Sequence, residues 1–134
     1  MSMFNSLDIA MTGASVSRVW MDALSDNVAN VNTIRPPDEE PFRARLVVAR
    51  SVRDAEGGAH GVAVDSIVEM GGDPPLTYNP GPPLADENGL VTLPVVDLGQ
   101  QRTDLVLASR SYEANLSVVD RVRETYLAAL RIGQ

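Results

Sequence analysis

Apolar side chains return at alternating intervals of three and four residues along both ends of this 134-residue chain. At the N-terminus the seam is Met3, Leu7, Ala10, Ala14, Ser17, Met21, Leu24, Val28 and Val31; at the C-terminus it is Leu105, Ala108, Tyr112, Asn115, Val119, Val122, Tyr126 and Ala129. A mean spacing of about 3.5 residues held this long marks a coiled-coil seam, because it keeps one face of each helix toward a partner. Ser17 and Asn115 interrupt the seams, and polar seam positions set register or partner choice. The pattern predicts helices from Ser2 to Asn32 and from Leu98 to Ile132. Each would span roughly 40 to 50 Å, more than a chain this small needs for its own core. Gly13, within Thr12-Gly13-Ala14-Ser15, lets another backbone approach closely. The first helix is expected to end among Asn30, Val31 and Asn32, since Asn tolerates a left-handed cap. Arg35-Pro36-Pro37 prevents its continuation, and Gly133 stops the second helix.

Between the helices the period changes. Phe42-Arg43-Ala44-Arg45-Leu46-Val47-Val48 begins by strict alternation and predicts a half-buried strand. Val62 to Met70 is its antiparallel partner, and the three glycines between Asp54 and Gly61 make the connection. Six of the nine prolines lie between Gly71 and Pro94. Leu76, Tyr78, Leu84, Leu90 and Leu93 recur there as apolar anchors, so the stretch reads as ordered and extended. Asn88-Gly89 predicts a tight turn, both residues accepting positive φ.

Composition narrows the function. Hydrophobic residues make up 44% of the chain but aromatics only 4%, so two long helices and a thin middle share few large side chains and partners are expected to complete the core. A formal charge of -7 argues against nucleic acid, which needs a basic stripe. All eleven basic residues are Arg, a preference that codon usage explains and that also suits forked pairing with carboxylates at interfaces. The absence of cysteine removes thiolate chemistry, disulfides and Cys-type zinc sites. No apolar run approaches the roughly 20 residues of a membrane span, and Met1-Ser2-Met3-Phe4-Asn5 does not open a cleavable secretory signal.

Candidate chemistry is sparse. His60, the single histidine, sits among Gly58, Ala59 and Gly61 and reads as an exposed turn residue, with no nucleophile or orienting group at a telling spacing. Asp86-Glu87-Asn88-Gly89 resembles the middle of a calcium loop, but with Gly89 sixth the first and twelfth positions are Leu84 and Val95, which supply no side-chain oxygen. Dinucleotide and phosphate-loop fingerprints are missing. No enzymatic activity, catalytic residue, metal or cofactor is expected. The remaining polar constellation is Ser25 to Thr33, with Asn27, Asn30 and Asn32. Three asparagines at a helix end serve as caps and turn residues, and their amides equally suit a repeated subunit contact.

That same stretch, Leu24-Ser25-Asp26-Asn27-Val28-Ala29-Asn30-Val31-Asn32-Thr33, resembles the N-terminal signature of the bacterial flagellar rod and hook proteins. Ala108-Ser109-Arg110-Ser111-Tyr112-Glu113-Ala114-Asn115 resembles the matching motif of their last helix. Tyr78-Asn79-Pro80-Gly81, followed by Ala85-Asp86-Glu87-Asn88-Gly89-Leu90-Val91 and Leu93-Pro94, is similar to the middle segment of the short proximal-rod members. Pro82-Pro83-Leu84 departs from the histidine-proline-aspartate common there, and Leu90 replaces an aromatic.

The resemblance implies a structural subunit of the basal-body rod, outside the cytoplasmic membrane and in the periplasmic space where one exists. It implies passage through the flagellum-specific type III export apparatus. It also implies partners among other rod proteins (FlgB, FlgF, FlgG and FliE) and copies of the chain itself. It places Leu24, Asn27, Asn30 and Asn32, with Tyr112 and Asn115, in the assembly interface; the seam adds Val119 and Val122. The expected fold is α+β, with two long terminal helices packed as a coiled-coil hairpin around a small β-hairpin and extended middle. Its organisation is a rod helix over 1–33, a strand- and turn-rich segment over 34–97 and a second rod helix over 98–134. A cytoplasmic helical adaptor or export chaperone shares the acidic, cysteine-free, helix-ended character and stands as the rival reading.

Overall fold

The computed structural model describes residues 3–81 and 83–132, with Met3 defined by its backbone alone. Helix α1 spans Met3–Ala29 and helix α2 spans Leu98–Ile132, roughly 40 and 50 Å at the α-helical rise. Between them, β1 (Arg45–Arg53) pairs antiparallel with β2 (Ala59–Glu69), and β3 (Leu76–Tyr78) with β4 (Leu90–Thr92). The architecture is the expected α+β one. The expected helix start at Ser2 and stop at Gly133 lie outside the described residues, as does Pro82.

The helices pair antiparallel. Asn27 meets Gln101, Ser17 meets Ser111, Gly13 faces Asn115, and the Phe4 ring stands edge-on to Tyr126 with centroids 6.0 Å apart. The seams have the predicted phase: Ala10, Ala14, Ser17 and Leu24 are buried on α1 and Ala108 on α2. Tyr112, Asn115, Val119 and Val122 are half-buried, whereas Tyr126 and Ala129 are exposed where α2 runs toward its end. Small seam residues bring the axes close but bury little area. Among the described residues Leu24 and Val91 are the largest buried aliphatic side chains, and the other buried apolar residues are alanines and Pro94. A core this thin stabilises weakly, since burial free energy scales with apolar area.

The β1–β2 hairpin lies against α1, and α2 packs on α1 without packing on either strand. Arg45 pairs in register with Glu69, yet its N–H and C=O both bond Asn27, so they point away from β2. Near the other end the Val62 N–H bonds Thr12 Oγ1, so it points away from β1. Helix α1 therefore crosses the hairpin diagonally, bonded to opposite edges of the two-stranded sheet. Gly61 (φ +125°) makes the second crossing possible, because a side chain there would run into Thr12.

Local expectations shift in four places. Helix α1 ends at Ala29 without a left-handed cap: no described non-glycine residue has positive φ, and the chain tightens through bonds such as Val31 N–H to Val28 O and Thr33 N–H to Asn30 O. Phe42 to Ala44 do not begin β1, because their backbone is engaged by the segment entering α2: Ala44 N–H donates to Val95 O and Val95 N–H to Phe42 O. His60 lies within β2, exposed, since the turn closes earlier through Asp54 N–H to Gly58 O. In the Asn88-Gly89 turn only Gly89 takes positive φ (74°). Asp86 Oδ1 holds that turn by accepting from the Asn88 and Leu90 N–H groups, each at 2.8 Å, which makes it a turn former.

Candidate assembly surface

The asparagine-rich end of α1 separates into three roles. Asn27 is fully buried. Its Nδ2 donates to Gln101 Oε1 at 2.7 Å and to Arg45 O at 3.0 Å, while its Oδ1 accepts from Arg45 N–H at 2.8 Å. The amide pairs with the edge of β1 much as a neighbouring strand would, which satisfies two backbone groups that the hairpin leaves open. Asn30 is half-buried and closes the helix end, with Nδ2 donating to Asp26 O at 2.9 Å and Oδ1 accepting from the Thr33 hydroxyl at 3.1 Å. Asn32 is exposed. Leu24, one turn before Asn27, is buried at the helix contact. Arg45 adds an ion pair with Asp26 at 2.8 Å, half open to solvent, where screening keeps such pairs weak.

On α2 the four sequence-predicted residues share one face, as positions spaced by threes and fours must. Asn115 presents its amide to Gly13: a methyl group at residue 13 would lie 2.6 Å from Asn115 Oδ1. The small run at Gly13 thus receives a side chain, not a backbone, and Asn115 Nδ2 is held by Ser111 O at 2.8 Å. Ser17, the other interruption, has its hydroxyl 2.9 Å from Gly13 O and 3.0 Å from Ser111 Oγ. Both polar interruptions meet the opposite helix and specify its register. Tyr112, Val119 and Val122 flank Asn115, half-buried.

A trough of about 500 Å³ runs where α1, α2 and the hairpin meet, lined among others by Ile9, Trp20, Val47, Val62, Ser111 and Asn115. Its lining contains no carboxylate, imidazole or guanidinium, so it has no group suited to general acid–base work. Among the described residues no group of three His, Cys, Asp or Glu side chains is placed to hold a metal. No described helix is long and apolar enough to cross a membrane.

Sequence reasoning missed Gln101, which is 1% exposed and stands opposite Asn27. A signal existed: Gln101 lies four residues before Leu105, on the backward extension of the seam. A polar residue at the head of an apolar stripe does not announce itself as buried.

Similarity to known proteins runs the whole length of the chain. It is 38% identical over 135 aligned positions to the flagellar basal-body rod protein FlgC of Salmonella typhimurium, covering all of both chains. Proteins of the same name from Borreliella burgdorferi and Bacillus subtilis are 34% and 33% identical, with all of this chain and 99% and 100% of theirs covered. The chain belongs to the FlgC family of flagellar basal-body rod proteins. No protein-family model matches it. Because the FlgC matches are end to end, both helices and the intervening strands belong to the unit that the family shares.

Proposed function

We propose that this chain is a structural subunit of the flagellar basal-body rod that assembles through its two terminal helices. The observation that carries this reading is the joint occurrence of end-to-end FlgC membership and an α2 that stays apolar on its outside after α1 has packed against it. Leu116, Leu127 and Leu130 remain 40%, 43% and 50% exposed, on a ridge beside the face that carries Asn115 and Val122. A helix that buries one stripe and exposes a second has a further neighbour to meet.

In this reading residues 1–33 and 98–134 form the assembly segments and 34–97 the outward part. Tyr112, Asn115, Val119, Val122, Asn30 and Asn32 lie at or beside the contact surface, and Leu24 and Asn27 shape it from beneath. The neighbours are copies of the chain and other rod proteins (FlgB, FlgF, FlgG and FliE), joined by head-to-tail contacts that extend without closing. The chain reaches its place in the basal body through the type III export apparatus. Membership in a family named for the rod favours this over an adaptor, an export chaperone or an enzyme.

The test is Leu116→Glu combined with Leu127→Glu. Both sites are exposed in the single chain, so the isolated protein should keep its stability within about 0.5 kcal/mol of the parent for each change. Cells carrying the double variant should build no hook and fail to swim. Normal motility from a stably produced double variant would sink the proposal.

A further inference from the structure

We propose that the Asn27 side chain makes the docking of the base of β1 conditional on the pairing of α2 with α1. A buried primary amide offers two N–H donors and a carbonyl acceptor, and Asn27 uses all of them across two elements. One is α2, through Gln101 Oε1 at 2.7 Å; the other is the first residue of β1, through Arg45 O at 3.0 Å and Arg45 N–H at 2.8 Å. Helix α2 does not pack on β1 or β2; at this end of the molecule they are joined by this one side-chain amide and by the backbone bonds of Val95, just ahead of α2, to Phe42 and Ala44.

The amide and its partner on α2 are also enclosed. Asn27 and Ala44 are 0% exposed and Gln101 is 1% exposed. When α2 separates from α1, Asn27 loses its acceptor and the cover over it, and water gains access to both the amide and the Arg45 peptide. The bonds that hold the base of β1 then compete with solvent, where a protein–protein hydrogen bond retains little net advantage. Pairing of the helices reverses each step. Resting on the assembly role proposed above, this has a directional consequence. A subunit with unpaired helices holds the base of β1 loosely while the Val62 bond to Thr12 keeps the other end of the hairpin on α1, and closing the helices fixes that base.

The chain's lack of cysteine permits a clean test. The Ser17 and Ser111 hydroxyl oxygens are 3.0 Å apart, so Ser17→Cys with Ser111→Cys, oxidised, holds α2 on α1 in every variant. In that crosslinked full-length chain, amide exchange at Arg45 is followed by NMR with Gln101 present, with Gln101→Met and with Gln101→Glu. Methionine matches the length of glutamine and removes the acceptor, whereas glutamate keeps an acceptor oxygen in either protonation state.

The expected result is exchange at Arg45 at least about tenfold faster with Gln101→Met, with the α1 amides around the crosslink unchanged, and recovery to within about threefold with Gln101→Glu. Equal exchange at Arg45 with Gln101 and Gln101→Met overturns the coupling. Uniform loss of protection throughout the Gln101→Met chain also overturns it, since that marks a general stability effect. Failure of the crosslink to form overturns the helix register beneath the argument. The measurement uses the isolated chain, so it does not depend on whether the protein builds a rod, and a motility defect alone leaves it untouched.

Discussion

Substituting Gly13 by alanine should change the sign of its effect with the residue at position 115. In an unobstructed helix, Gly→Ala stabilises by about 1 kcal/mol, because glycine surrenders more backbone freedom. Here the new methyl would lie 2.6 Å from Asn115 Oδ1 and 2.9 Å from both Cγ and Nδ2, well inside the roughly 3.5 to 4.0 Å of a comfortable contact. Asn115 is half-buried and its Nδ2 donates to Ser111 O at 2.8 Å, so the amide swings away only by breaking that bond. Overpacking of this kind costs about 1 to 3 kcal/mol.

Gly13→Ala alone should therefore destabilise by about 1 kcal/mol, once the propensity gain is subtracted from the overlap. With Asn115→Ala in place the obstruction is gone, and Gly13→Ala should stabilise by about 1 kcal/mol. The two opposite effects amount to a coupling of about 2 kcal/mol, within the range for residues in contact. Urea unfolding of the four purified proteins, followed by far-UV circular dichroism, measures it directly. Equal stabilisation by Gly13→Ala in both backgrounds would refute the register, because it would mean that no Asn115 amide lies opposite residue 13.

Asn27→Ala should destabilise by about 2 to 4 kcal/mol, since it strips partners from Gln101 and from both polar groups of the Arg45 peptide. Asn32→Ala, at an exposed position, should stay within about 0.5 kcal/mol of the parent in the same urea experiment. Thr92 is 2% exposed and its hydroxyl oxygen finds no partner among the described residues. Thr92→Val should therefore stabilise by about 1 kcal/mol, visible as a raised urea midpoint. Val122→Asp puts a carboxylate on the seam face at a cost of several kcal/mol, whereas Arg121→Asp changes an exposed position on the side of α2 away from both the seam and the ridge of Leu116, Leu127 and Leu130. Soft-agar motility should fail for the first and persist for the second, and the opposite outcome would place the true contact on the outward face.

The helical seams were legible because a helix's exposed and buried faces repeat with a local period that covalent geometry imposes. Ala10, Ala14, Leu24 and Ala108 could be assigned to the inside before any partner was known, and they are buried. The turn at Gly89 was legible for the same reason, since positive φ is a single-residue property. The strand limits were less so. Whether Phe42 to Ala44 join β1 depends on whether Val95, some fifty residues later, offers backbone groups to them, and it does. Alternation in sequence marks an extended chain but not the chain it pairs with.

The site divides along the same line. The cluster of Asn27, Asn30 and Asn32 was visible as a helix-end motif, and its resemblance to a family signature pointed to the FlgC relatives. That Asn27 serves the interior, Asn30 the helix end and Asn32 the surface was decided by where β1 and α2 arrive. Gln101 gave the weakest signal and is nonetheless only 1% exposed, because an amide is admitted to a buried interior only when another polar group is already there to meet it. A single helix's sequence specifies which stripe must be covered, since that cost is paid residue by residue. Which side chain satisfies which buried donor is settled only when distant segments meet, because a hydrogen bond depends on both partners and on the absence of water between them.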